Sequence, residues 1–122
     1  EADSVLVIRR DTGEKNLYKL DLAADILNNL LDEIQSNMFQ QAKKFMDENT
    51  FTVESYDEFK SNLNNGGFVR CGWDGNAASE AAIKSETKAT IRCILSESPA
   101  QEKKCVYSGN PAKYEVIYAK AY

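Results

Sequence analysis

Asn64-Asn65-Gly66-Gly67 is the feature that most limits what this chain can fold into. Four residues tolerant of left-handed backbone stop any helix before them and release the chain into Phe68–Trp73, a run rich in strand formers. Just upstream, Ser55 and Glu58 have capping-box spacing, which predicts a helix from Tyr56 to about Leu63. A short strand at Phe51–Val53 comes before that helix. After the Phe68–Trp73 strand the pattern predicts an Ala-rich helix over 76–86. Next comes a strand over Ala89–Leu95, with Ile91 and Cys93 on one face and Thr90, Arg92 and Ile94 on the other. A polar loop, Glu97–Lys104, is expected to be mobile, and a last strand covers Tyr114–Ala119. The order strand, helix, strand, helix, strand, strand predicts an α+β fold, a two-layer sandwich of one mixed sheet backed by helices.

The first 49 residues read differently. Val5-Leu6-Val7-Ile8, the turn residues Asp11-Thr12-Gly13-Glu14 and the run Leu17–Leu20 predict a β-hairpin. Asp21 is placed to cap a long helix that reaches about Glu48, with Leu27, Leu31, Ile34, Met38, Ala42 and Phe45 at three- and four-residue steps. Such a stripe is a core or interdomain packing face before it is anything else.

Composition narrows the function. With 43% hydrophobic and 28% charged residues in 122, the chain is neither disordered nor a membrane protein, and its apolar runs are only a few residues long. A cytoplasmic setting is the default expectation, and an opening on Glu1 without Met reads as a piece cut from a longer protein. The net charge of −4 argues against a module that grips nucleic acid alone. Residues 20–65 carry nine acids and three bases, whereas 66–122 carry six acids and eight bases, a bias too faint to argue for RNA contact. There is no histidine, so the usual general base, Ser/His or Cys/His nucleophile pairs and the commonest metal ligand are all excluded. No phosphate-cradling Gly-x-x-x-x-Gly-Lys loop is present, and Asp32-Glu33 and Asp47-Glu48 read as solvated helix positions. No residue in the chain is therefore assigned a catalytic role.

Three cysteines cannot all pair, and Cys71 and Cys93 fall inside predicted strands where a thiol packs as a small hydrophobe, so no disulfide framework is expected. Trp73, Tyr107, Tyr114, Tyr118 and Tyr122 alternate with Lys and Arg and could stack bases, but a division between sheet core and edge is the plainer reading.

Gly66-Gly67-Phe68-Val69-Arg70, Trp73, Glu86-Thr87-Lys88-Ala89-Thr90-Ile91-Arg92-Cys93, Asn110-Pro111-Ala112-Lys113 and Ala119-Lys120-Ala121-Tyr122 together resemble the C-terminal region of archaeal/eukaryotic-type prolyl-tRNA synthetases, a type also found in some bacteria. The resemblance implies a tail hairpin of the anticodon-binding domain at 1–20, a linker helix at 21–49 and the C-terminal domain at 50–122. It also implies a parent enzyme of class II that uses ATP and Mg²⁺ to join proline to its tRNA. That parent is expected to be a cytoplasmic homodimer whose catalytic and anticodon-binding domains are this region's partners.

Zinc-binding members of the family hold the metal at four positions, which fall here on Asp74, Ser79, Cys105 and Ser108. Only one thiol of the four is present, so the resemblance implies a zinc-free branch with a degenerate knuckle. No metal or cofactor is expected in this region, and local hydrogen bonds, with Asp74 or Asn76 capping the next helix, are expected to hold the turn. The family's terminal Tyr carboxylate points toward the active site, and Tyr122 matches it. A free-standing RNA- or protein-binding α+β module is the alternative.

Overall fold

The computed structural model describes residues 3–96 and 102–121. The chain divides into two compact units, Glu1–Phe45 and Met46–Tyr122.

In the first unit, β1 (Ser4–Ile8) and β2 (Lys15–Lys19) form the expected antiparallel hairpin, with Val5 opposite Tyr18 and Leu6 opposite Leu17. Pairing runs on to Leu20, whose amide donates to the Asp3 carbonyl, so the chain must turn at once. It does so through a 3-10 turn at Leu20–Leu22 before α1 (Ala23–Glu48). Asp21 lies inside that turn, so it is not the helix cap that its position suggested.

The face of α1 that meets the hairpin carries Ile26, Leu30, Glu33 and Asn37, and Leu30 is its buried residue. Arg9 binds Asp11 through two nitrogens, at 3.1 and 2.9 Å, and Glu33 at 3.0 Å. Asn37 donates to Asp11 at 2.7 Å. These bonds, Arg9's first, outweigh desolvation and hold the Asp11 carboxyl down to about 2.

The apolar stripe expected to pack is not core in this unit. Leu27, Leu31, Met38 and Phe45 are 42%, 63%, 59% and 65% exposed. A two-stranded hairpin can cover one face of a helix, and the face it covers is offset from the stripe.

The second unit carries the sheet. Its strands are β3 (Thr50–Thr52), β4 (Phe68–Trp73), β5 (Ala89–Ser96) and β6 (Tyr114–Lys120), and its helices are α2 (Tyr56–Asn65) and α3 (Ala77–Thr87). The sheet order is β3-β4-β6-β5, with β3 and β4 parallel and the other pairs antiparallel, which makes the sheet mixed. Phe59 and Leu63 of α2 and Ile83 of α3 meet Val69, Cys71, Val116 and Tyr118 of the sheet in one core. The α+β sandwich is therefore as expected.

Ser55 caps α2, accepting from the Glu58 amide, while the Glu58 carboxylate reaches the Glu54 amide and not that of Ser55. The helix runs two residues past its expected end, to Asn65, and Gly66 and Gly67 then take φ of 87° and 99°.

One expectation fails in β5. Ile91 pairs with Tyr118 but Cys93 pairs with Ile117, with a bulge between them. Because Tyr118 and Ile117 point to opposite faces of β6, Ile91 and Cys93 do too, and Cys93 is exposed where core packing was expected. Of the polar loop expected at 97–104, residues 97–101 lie outside the described residues. The rest is anchored: Lys103 pairs with Glu115 of β6 and accepts from the Ala112 amide.

Glu115 also binds Arg70 of β4 at 2.8 Å, on the sheet face away from the helices. Hydrogen bonds from Arg70 and then Lys103 overcome desolvation and lower its carboxyl to about 2. The folded pKa lies below the unfolded value near 4.5, so this stabilisation is complete above that value and is lost as pH falls toward 2. Glu115→Gln should cost about 1–3 kcal/mol at neutral pH. Urea denaturation followed from pH 5 to pH 2 should show a shallower acid limb for this variant.

Tyr118 is 0% exposed and meets Phe59 edge-on at 5.2 Å. Its hydroxyl has no hydrogen-bond partner among the described residues. Since an unpaired buried hydroxyl costs about 1–3 kcal/mol, Tyr118→Phe should be neutral or stabilising in thermal denaturation.

Candidate functional site

The four residues that the resemblance pointed to come from two stretches: Asp74 and Ser79 at the β4–α3 junction, and Cys105 and Ser108 in a turn before β6. The turn is built by its backbone. Cys105 donates to the Asn110 carbonyl at 2.7 Å, and Gly109 donates to the Cys105 carbonyl at 3.0 Å. Lys104 and Pro111 form an antiparallel bridge at its base.

Gly72 lets this turn dock on β4. Val106 donates to the Gly72 carbonyl at 3.1 Å, and Cys105 bridges Gly72 in parallel. A Cβ at residue 72 would run into the Lys104 carbonyl oxygen and come within 2.8 Å of the Ala112 side chain. The glycine is required here for close backbone approach.

Asp74 joins the two stretches. Its Oδ2 accepts from Ser108 Oγ at 2.7 Å and from Ser79 Oγ at 3.1 Å, while Oδ1 accepts from the Asn76 amide at 3.0 Å. Ser108 in turn accepts from the Asn110 amide at 3.3 Å. Asn76 caps α3 by accepting from Ala78 at 2.9 Å, so of the two candidate caps it is Asn76 that serves. Desolvation raises the Asp74 pKa, but the bonds from Ser108, Asn76 and Ser79 outweigh it and the carboxyl lies below its usual value.

Cys105 is 2% exposed. The buried Cys71 thiol is pushed up to about 12, by desolvation first and then by Cys105, which leaves it protonated and inert.

A second junction was not foreseen. Tyr56 of α2 and Tyr107 of the turn both donate to Glu86 of α3, at 2.8 and 3.3 Å, and the two rings meet edge-on at 5.1 Å. Spacings of 30 and 21 residues gave no local signal for it. The aromatic residues considered for base stacking are engaged elsewhere: Tyr118 in the core, Tyr107 on Glu86, and Trp73 against Tyr114 at 5.4 Å. Tyr122 lies outside the described residues.

Residues 56–122 match the family described as Prolyl-tRNA synthetase, C-terminal. The chain belongs to that family. Over all of its length it is 43% identical to a proline--tRNA ligase of Porphyromonas gingivalis, and it aligns in full at 45% with one from Prosthecochloris aestuarii and at 43% with one from Bacteroides fragilis. It covers 25%, 27% and 25% of those proteins, so the chain spans about a quarter of the length of the curated relatives it matches.

Asp74, Ser79, Cys105 and Ser108 do not make a donor set that suits zinc. A closed structural site takes four deprotonated soft or borderline ligands. Here there are one thiol, one carboxylate and two serine hydroxyls, and both hydroxyls donate to the carboxylate.

All three cysteines carry free thiols, and their exposure sets their reactivity. In native protein, alkylation should modify Cys93 first, and Cys71 and Cys105 should react only on unfolding; peptide mapping by mass spectrometry reads this directly.

Proposed function

We propose that this chain is the C-terminal accessory region of a class II prolyl-tRNA synthetase, the enzyme that converts ATP, L-proline and tRNA into prolyl-tRNA, AMP and diphosphate. The observation that carries the reading is likeness to proline--tRNA ligases along the whole chain, which also favours it over a free-standing binding module. In this reading residues 1–20 are the tail hairpin of the anticodon-binding domain, 21–49 a linker helix and 50–122 the C-terminal domain. ATP, Mg²⁺, proline and most tRNA contacts belong to the rest of a cytoplasmic, homodimeric parent, and the region by itself forms no prolyl adenylate.

The region's task is positional: it packs on the catalytic domain and sets the Tyr122 carboxylate near the active site, where a fixed anion and ring support its wall. The local structure is suited to this. β6 is paired on both sides as far as Tyr118, and its last residues, Ala119 and Lys120, pair with Thr90 and Ala89 of β5. Ala121 donates to the Lys88 carbonyl at 3.3 Å, Arg92 donates to the Lys120 carbonyl at 3.1 Å, and the Lys120 ammonium binds Asn64 at 2.9 Å. A segment anchored to within one residue of Tyr122 can deliver that residue to a defined place.

Deleting Tyr122 from the full-length enzyme should lower kcat/KM for proline-dependent ATP–diphosphate exchange by roughly tenfold, equivalent to about 1.4 kcal/mol of barrier. The thermal midpoint should stay unchanged. Unaltered exchange kinetics would remove the positional role.

A further inference from the structure

We propose that Asp74, Ser79 and Ser108 form a single carboxylate-centred clasp that does the cross-linking work of a metal ion at this knuckle. The clasp rests on hydrogen bonds within the chain and is independent of the catalytic reading above.

One oxygen gathers both hydroxyls. Asp74 Oδ2 accepts from Ser79, which α3 supplies, and from Ser108, 34 residues away in the turn. A tetrahedral cation joins separate segments by accepting lone pairs from each; here an anion joins the same segments by accepting a proton-bearing group from each. The two arrangements call for opposite chemistry at the surrounding positions: thiolates around the cation, hydroxyl donors around the anion. Ser79 and Ser108 are such donors, and neither hydroxyl has a second proton to spend elsewhere.

The site is also complete. Asp74 Oδ1 takes the Asn76 amide, and Ser108 accepts from Asn110, so a chain of donors runs Asn110 to Ser108 to Asp74. The 2.7 Å bond from Ser108 lies in the range of charge-assisted hydrogen bonds, which are about twice as strong as neutral ones. Ser79 is buried at 6% exposure, so its hydroxyl depends on Asp74 for a partner. The clasp therefore pins the turn to the end of β4 and the start of α3, with Cys105 left as a buried thiol in the same turn.

The test is a double-mutant cycle combined with a conversion. Asp74→Ala and Ser108→Ala should each lower the thermal midpoint of the chain by roughly 4–8 °C. Asp74→Ala/Ser108→Ala should fall little further than Asp74→Ala alone, because both remove one shared bond. Additive losses, or no loss in either single variant, would overturn the clasp.

The triple variant D74C/S79C/S108C, which keeps Cys105, should bind about one Co²⁺ or Zn²⁺ per chain with a thiolate-to-cobalt absorption band, including when it folds only in the presence of metal. A triple variant that binds neither metal, folded or unfolded, overturns the claim that these positions converge. Wild-type protein purified with about one zinc per chain, and destabilised by chelator, would overturn the clasp itself.

Discussion

The pairing of β6 with β4 is the constraint on which the second unit depends. β6 enters between β4 and β5, in a register that runs from Val69 opposite Tyr118 to Trp73 opposite Tyr114, more than 40 residues apart in sequence. Contacts this distant are entropically expensive to form, and two sets of side chains offset that cost. On the helix face Val116 and Tyr118 enter the core with Cys71 and Val69; on the other face Glu115 binds Arg70. A shift of one residue would send Glu115 into the core and Val116 to the ion pair, so the alternation of the strand rules out a one-residue slip.

The approach of the turn that precedes β6 follows from that register. With Trp73 opposite Tyr114, the segment just before Tyr114 must pass over the end of β4, and it can do so closely because residue 72 has no side chain. Gly72 then accepts from Val106, and the Trp73 carbonyl accepts from Lys113 at 2.9 Å. The turn is thus attached first by backbone, and the side chains of Asp74, Ser108, Tyr107 and Glu86 add lateral ties to α3.

The parts of this arrangement that could be read from sequence are those set by neighbours in the chain. Ser55 and Glu58, the left-handed glycines at 66 and 67, and Asn76 act within a turn of their own position, so their spacing shows their role. The order of elements and the mixed α+β architecture followed from such signals. The bulge in β5 was hidden because it depends on how Arg92 is accommodated against β6, and period-two alternation cannot register an inserted residue. Asp21 failed as a cap for a similar reason, since hairpin pairing upstream decided how the helix begins. At the candidate site, resemblance pointed to Asp74, Ser79, Cys105 and Ser108 as positions, but only the structure shows that Ser79 and Ser108 both bond Asp74. Glu86, Tyr56 and Tyr107 left no trace in spacing at all.

A turn of this kind needs no metal when something else already holds most of it. Here ten buried residues, among those described, form a continuous core that includes Val106 from the turn itself, so hydrophobic burial and backbone bonds carry the docking. What remains for a cross-link is to fix the orientation of a few residues, and roughly two charge-assisted hydrogen bonds of about 1.5–3 kcal/mol each suffice for that. A zinc site contributes far more, about 10–16 kcal/mol, but it does so mainly where little else defines the fold. In the proposed clasp the demand is smaller: once the core sets the backbone, the turn needs direction more than strength, and a carboxylate with two hydroxyl donors supplies direction.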